Sequence, residues 1–210
     1  MNIHNLYRPF LRHFRAQRMQ DFYHRFEIAP TTRVLDVGGT GFNWSLCPFQ
    51  PNLTFLNLHP PREEAGEKWI IADGRYLPFK DAAFEVVYSN SVIEHLGSLA
   101  NQQTFAKEIA RVGIRYYVQT PNKRFPIEPH LLTPLIHYFL HFLPRSLQRF
   151  LLRYFTLWGW VTRPTVWECE RFLREVRLLD EHELRRLFPD AKIQRERFLG
   201  MTKSLVASKL

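Results

Sequence analysis

The sequence predicts an α/β fold with a parallel sheet, and three observations predict it. Residues 33–37 carry Val34, Leu35 and Val37, the apolar, β-branched composition of a strand buried on both faces. That run holds an acid, Asp36, near its end and then breaks into Gly38, Gly39 and Gly41. Glycines can adopt φ > 0, turn sharply and let a ligand reach their amides. Further on, apolar runs at 70–72 and 84–88 end on Asp73-Gly74 and on Ser89-Asn90-Ser91. In open α/β sheets ligands bind beyond that carboxyl edge.

Residues 7–26 place Tyr7, Phe10, Leu11, Phe14, Phe22 and Phe26 at helical spacing, with Arg8, Arg12, Arg15, Arg18 and Arg25 elsewhere on the wheel. This reads as a basic amphipathic helix, interrupted near Pro9, that packs on the sheet, closes over a ligand or touches a membrane surface. Pro30-Thr-Thr ends it and introduces the first strand. Residues 53–60 read as a second strand stopped by Pro60-Pro61, 70–72 as a third, 84–88 as a fourth and 114–119 as a fifth. Glu94 and His95 open the helix before the fifth strand, and 105–112 continue it.

The stretch from Ile70 to Leu96 has the spacing Asp-(x)3-Leu-Pro-Phe-(x)4-Phe-(x)6-Ser-Val-Ile-Glu-His. Together with 33–44 it strongly resembles the class I S-adenosylmethionine-dependent methyltransferases, in the branch called type 11. The resemblance covers roughly residues 34–122, with a weaker echo from 179 to the C-terminus. It implies a Rossmann-like, doubly wound, mostly parallel seven-stranded sheet with a helical hairpin lid inserted between strands five and six. It also implies S-adenosylmethionine as cofactor and methyl transfer as the activity.

The same resemblance places the cofactor against Asp36, Gly38, Gly39 and Gly41. Asn57 stands where the family carries a ribose-binding acid. Asp73 would accept from the adenine amino group with Gly74 beside it, and Tyr76 and Leu77 would pack on the purine. Ser89 and Asn90 would line the methionine end. Two departures stand out: the glycine motif is one residue short of Asp-x-Gly-x-Gly-x-Gly, and Asn57 lacks the charge of an acid. Phe42 and Trp44 are the apolar contacts expected to compensate. These departures motivate an alternative, a cofactor-weak scaffold or accessory protein of the same fold.

After the fifth strand comes the proline-studded loop 120–130, whose Glu128 and His130 are candidates for substrate contact or proton removal. His130 and His95 are the bases to test should the acceptor be a hydroxyl; in the family the Glu94-His95 pair reads as mainly structural. Thr133-Pro134 has the form of a helix start, followed by the apolar run 135–143 and the stop Pro144. Arg145, Arg149 and Arg153 then recur every fourth residue. This helical insertion, over 131–164, would form an apolar substrate pocket, rest on lipid, or serve as a packed extension or dimer interface. His137 and His141 have an i, i+4 spacing but no acidic ligand nearby in sequence, so no metal is expected there. Residues 179–189 read as a helix capped by Asp180, and 191–199 and 202–208 as closing strands around a Gly200-Met-Thr turn.

At 210 residues the chain suits one domain, 1–210, with the basic helix within 1–29. Its net charge of +9 and pI of about 9.8 invite a polyanion or an anionic membrane surface. An RNA-directed methyltransferase is the corresponding alternative. Yet Ser-Asn-Ser-Val after the fourth strand differs from the Asn/Asp-Pro-Pro-aromatic loop of base-amine methyltransferases, so nucleic acid is not expected. A dehydrogenase of similar topology fits less well, because nothing resembles its catalytic residues. The expected partner is a small-molecule, hydrophobic or lipid-like acceptor, with peripheral membrane contact left open. Cys47 and Cys169 form no framework, the N-terminus shows no secretory pattern, and a cytoplasmic location is the expectation.

Overall fold

The structure is a computed structural model that describes residues 8–59, 68–128, 130–140 and 142–210, with side chains from residue 14 onward. Tyr7, Pro60, Pro61 and His141, and the side chains of Arg8, Phe10, Leu11 and Arg12, lie outside the described residues. Helix α1 (Arg8–Arg25) runs through Pro9, which sits in its first turn, so the expected interruption is absent there. Strands β1 (Arg33–Val37), β2 (Asn52–Asn57), β3 (Lys68–Ile71), β4 (Phe84–Asn90) and β5 (Gly113–Pro121) follow, with the one-turn helix α2 (Gly41–Trp44) after β1 and α3 (Leu99–Val112) before β5.

Strands β8 (Lys192–Phe198) and β9 (Met201–Lys209) complete a seven-stranded sheet of order β3-β2-β1-β4-β5-β9-β8. The pairings among β1 to β5 are parallel, and those of β9 with β5 and β8 are antiparallel. The chain order reverses between β1 and β4, the switch point where such sheets open a crevice.

Alternation along the strands feeds two cores. Leu35, Val37 and Val87 join Phe105, Ile109, Leu184 and Phe188 on one face. Val34, Val86, Tyr88 and Tyr117 meet Met19, Phe22, Phe26 and Trp44 on the other. The described apolar residues Met19 and Phe22 of α1 are thus packed against the sheet: Phe22 makes edge contacts with Trp44, Tyr88 and Tyr117.

Three local readings are corrected. Glu94 and His95 occupy a separate 3₁₀ turn, Ile93–Leu96, and do not open α3. Gly97 at φ 74° reverses the chain, and Ser98 then caps α3 by accepting from the Asn101 amide. Thr133-Pro134 is not a helix start but strand β7, paired with β6 (Ile127–Glu128). Leu132 and Leu135 on either side are held at positive φ, which delays α4 to Ile136–Leu140. The closing hairpin turns on Leu199-Gly200, both at positive φ, since Phe198 pairs directly with Met201.

The insertion is not a two-helix hairpin. It comprises α4, α5 (Arg145–Phe155), α6 (Leu157–Thr162) and α7 (Val166–Glu175). Thr156 caps α6, and Thr165 with Glu168 forms a capping box on α7. Leu131, Leu140, Leu152 and Cys169 give these short helices a small core of their own, joined by Trp158 and Phe172. Helix α8 (Glu181–Leu187), capped by Asp180 as expected, returns the chain to β8.

Candidate functional site

Strands β1 to β4 run parallel and end on one rim of the sheet, which brings Asp36, Asn57, Asp73 and Asn90 to the same edge. Asp36 is fully buried. Its Oδ2 accepts from Trp44 Nε1 at 2.7 Å, while Oδ1 has no partner among the described residues. Burial, the larger effect, outweighs the Trp44 hydrogen bond and pushes the carboxyl up to about 7. Trp44 therefore belongs to the core and braces Asp36; it is not an apolar cofactor contact. The glycine turn closes tightly on this acid. A Cβ on Gly39 would sit 1.8 Å from Asp36 Oδ2, and Gly38 holds φ 79° with Val92 2.5 Å from where its Cβ would be. Gly41 opens α2.

Asn57 is tied locally, donating to the Gly39 carbonyl at 3.4 Å and accepting from the Leu58 amide at 2.9 Å. An amide has four hydrogen-bonding positions, so one donor and one acceptor remain. Asp73 takes the fork of Arg75: Oδ2 accepts from Nη2 at 2.5 Å and Oδ1 from both the amide and Nε. That hydrogen-bonded pair holds the Asp73 carboxyl below its usual range. Tyr76 beside it is well exposed, but Leu77 is buried in the core and faces no ligand. Gly74 is fixed by packing, since a Cβ would lie 2.9 Å from both Phe105 and Val37.

Ser89 does not line the rim. It is buried, and its hydroxyl donates to the Val37 carbonyl at 3.0 Å. Asn90 Oδ1 accepts from Arg18 Nη1 at 2.6 Å, and the same guanidinium grips both oxygens of Glu196 at 2.6 Å. Arg18 thus clamps α1 across the tip of β4 to β8. Its sequence signal was one basic residue among several on a helix wheel.

Beyond β4 a second group of residues gathers. Glu94 is fully buried; its Oε2 accepts from Thr120 Oγ1 at 3.1 Å, and Oε1 has no partner among the described residues. Burial above all pushes this carboxyl up to about 7, against the pull of His130. His130 Nδ1 is hydrogen-bonded to Glu128 Oε1, and Glu128 Oε2 accepts from the Leu131 amide at 2.6 Å. His130 Nε2 faces His95 Nε2 at 3.1 Å, the rings edge to face. Burial pulls the His130 imidazole down, but the Glu128 hydrogen bond and charge outweigh it and leave the group raised. His95 is pushed down to about 4 by burial of its ring and by His130, although the residue keeps an exposed edge. The insertion locks this turn in place: the Arg177 amide, just after α7, donates to the Glu94 carbonyl at 2.7 Å.

Glu128 also walls a cavity of about 670 Å³ beneath the insertion, with Leu131, Tyr138, Leu140, Phe172 and Val176. His137 lines it too, its Nε2 facing the Lys123 carbonyl at 3.1 Å, so that histidine is committed to the loop.

The rim suits a nucleoside bearing N–H and O–H donors and a cationic sulfur. Asp36 offers a buried acceptor with no donor, and Asn57 keeps hydrogen-bonding capacity at the next strand end. Comparison with known proteins agrees. The family model described as a methyltransferase domain, type 11, matches residues 35–115. No curated protein sequence matches the chain.

Among solved structures, 1,6-didemethyltoxoflavin-N1-methyltransferase from Burkholderia thailandensis, bound to S-adenosylhomocysteine, is 16% identical. It covers 89% of this chain and 72% of its own, with a TM-score of 0.54. Magnesium protoporphyrin IX methyltransferase from Synechocystis PCC 6803, also with S-adenosylhomocysteine, is 11% identical over 93% and 82%, TM-score 0.52. A Rhodobacter sphaeroides protein described as a Zn-dependent alcohol dehydrogenase is 12% identical over 86% and 84%, TM-score 0.59. At such identities the likeness to these structures is one of fold. Residues 35–115 thus match the methyltransferase domain of type 11, a family whose cofactor is S-adenosylmethionine, and the sheet around them has the fold of methyltransferases bound to its product.

Proposed function

We propose that the methyl acceptor is a small hydrophobic molecule, held in the cavity beneath the insertion and presented to the rim. The observation that carries this reading is the shared wall: Glu128, which pairs with His130, also lines the mostly apolar cavity. Bound S-adenosylmethionine supplies an electrophilic methyl on a cationic sulfur. The chain's own work is alignment and exclusion of water. Asp36, Asn57 and Asp73 would hold the nucleoside, and the His95–His130 pair is where the acceptor's proton would be handled.

The insertion's outer surface supports a further proposal. Phe139, Phe142, Phe150, Phe155, Trp160 and Trp167 are exposed there, and α5 also carries Arg145 and Arg149, both ion-paired to Glu170, and Arg153, which lies over the Tyr154 ring. Aromatic rings bordered by arginines suit an anionic lipid surface, which is also where apolar acceptors collect. Among the described residues no helix is long and apolar enough to cross a membrane, so such contact would be peripheral.

Labelled-methyl transfer to a panel of apolar alcohols, phenols and amines tests the acceptor reading. Val176→Arg, which fills the cavity wall, should lower transfer at least tenfold while S-adenosylhomocysteine affinity stays unchanged. Undiminished transfer in that variant removes the cavity from the reaction.

A further inference from the structure

We propose that Glu94, His95 and His130 form a binding site for one divalent transition-metal cation of the zinc class, with Glu128 and Thr120 as its supporting hydrogen-bond partners. One ligand atom from each of the three residues lies within 4.8 Å of the others. The two imidazole Nε2 atoms are 3.1 Å apart. Two nitrogens bound at ~2.0–2.1 Å in tetrahedral geometry stand about 3.3 Å apart, so the imidazole pair accepts a cation with a shift of a few tenths of an ångström, and the Glu94 carboxylate closes on it from within 4.8 Å.

The surroundings favour a ligand over a bare hydrogen bond. His130 Nδ1 is bonded to a buried carboxylate; with the proton on that nitrogen, Nε2 presents its lone pair toward His95. A metal-bound histidine is characteristically oriented this way, by a carboxylate on its other nitrogen. Glu94 is anchored at one oxygen by Thr120, and its other oxygen is buried without a partner.

An anionic carboxylate sealed from water without a cation is costly. None of the ion pairs among the described residues reaches Glu94; the nearby Arg177 guanidinium is spent on Gln102 and Glu183. A divalent cation supplies the missing charge. Two imidazoles and one carboxylate suit zinc or cobalt better than calcium or magnesium, which prefer all-oxygen shells. His95 leaves one side exposed to solvent, and three protein ligands with an open position are the pattern of catalytic rather than structural metal sites.

The use of that position rests on the proposed function. An acceptor hydroxyl coordinated there would release its proton to solvent at lower pH and present an anionic oxygen to the methyl group. The His95–His130 pair would then act by holding the cation, not as a free base.

Chelator-stripped full-length chain, titrated with Zn²⁺ by calorimetry and with Co²⁺ by visible absorption, tests the site. One equivalent should bind, with a Co²⁺ ligand-field band. Glu94→Gln and His95→Ala should each weaken binding at least tenfold, and Glu128→Gln by about 10–100-fold. His95 has an exposed edge, so its replacement spares the fold, and unchanged S-adenosylhomocysteine affinity in each variant verifies this. Absence of saturable Co²⁺ binding, or affinity unchanged in His95→Ala, overturns the proposal. A metal failure with intact S-adenosylhomocysteine binding leaves the methyltransferase reading standing. Metal binding with no transfer to any apolar acceptor leaves the site standing and removes its assigned use.

Discussion

Two residues on the rim of the sheet, Asp73 and Asn90, and the cluster beyond β4 stand in opposite states of satisfaction. On the rim, Asp73 and Asn90 are each tied to an arginine, Arg75 and Arg18, from the same chain. In the cluster, no arginine or lysine pairs with Glu94 or Glu128 among the described ion pairs, and two imidazoles face one another. The difference is one of charge balance. At Asp73 and Asn90 the rim is internally neutralised, so a ligand must compete for those acceptors, whereas Asp36 keeps a buried oxygen without a donor. The cluster is left with a buried carboxylate oxygen that only an incoming donor or cation can satisfy.

The comparison breaks most sharply where the rim's own clamp is opened. Glu196→Ala leaves the guanidinium of Arg18, 8% exposed, without its bidentate partner. A buried charge stripped of its partner costs about 3 kcal/mol or more, read as a large fall in the urea midpoint. Next is Gly39→Ala, whose methyl collides with the Asp36 carboxylate. A loss of about 2–3 kcal/mol is expected from overpacking, and Asp36→Ala in the same chain should recover part of it; a purely additive double variant would refute that explanation.

A smaller effect sharpens the competition at Asp73. Asp73→Ala should weaken S-adenosylhomocysteine binding about tenfold. Arg75→Ala, which frees the same carboxylate, should strengthen it several-fold by calorimetry, and equal losses in both variants would show that the pair acts as a unit. The smallest effect is a pH dependence. Unfolded, Asp36 ionises near its ordinary value of about 3.9; folded, it does so at about 7. Between those values the folded chain retains a proton that the unfolded chain has released. This contribution to stability is therefore present below about pH 4 and lost as pH rises to about 7. Unfolding free energies of Asp36→Asn should exceed those of the unaltered chain more at pH 8 than at pH 5, by on the order of 1–2 kcal/mol. An equal difference at the two pH values would place the proton elsewhere.

Much of the rim was legible because its elements are local. A β-branched run, an acid and a glycine turn are contiguous, and strand ends announce themselves by apolar residues giving way to Asp73-Gly74 or Ser89-Asn90. What failed there was side-chain direction: Ser89 turns inward to Val37, and Leu77 joins the core. The insertion was less legible. Its apolar run suggested one helix from Thr133, but backbone at positive φ on either side and the β6–β7 pairing shorten that helix to five residues.

By itself, the sequence determined the strand order's raw material, the glycine turn and the family spacing, since each depends on neighbours along the chain. The tertiary structure alone decided that Arg18 reaches Asn90 and Glu196, that Arg75 occupies Asp73, and that Glu94, Glu128 and two histidines meet. Those contacts join residues brought together by strand crossovers or by a free choice of rotamer, and spacing carries no record of either.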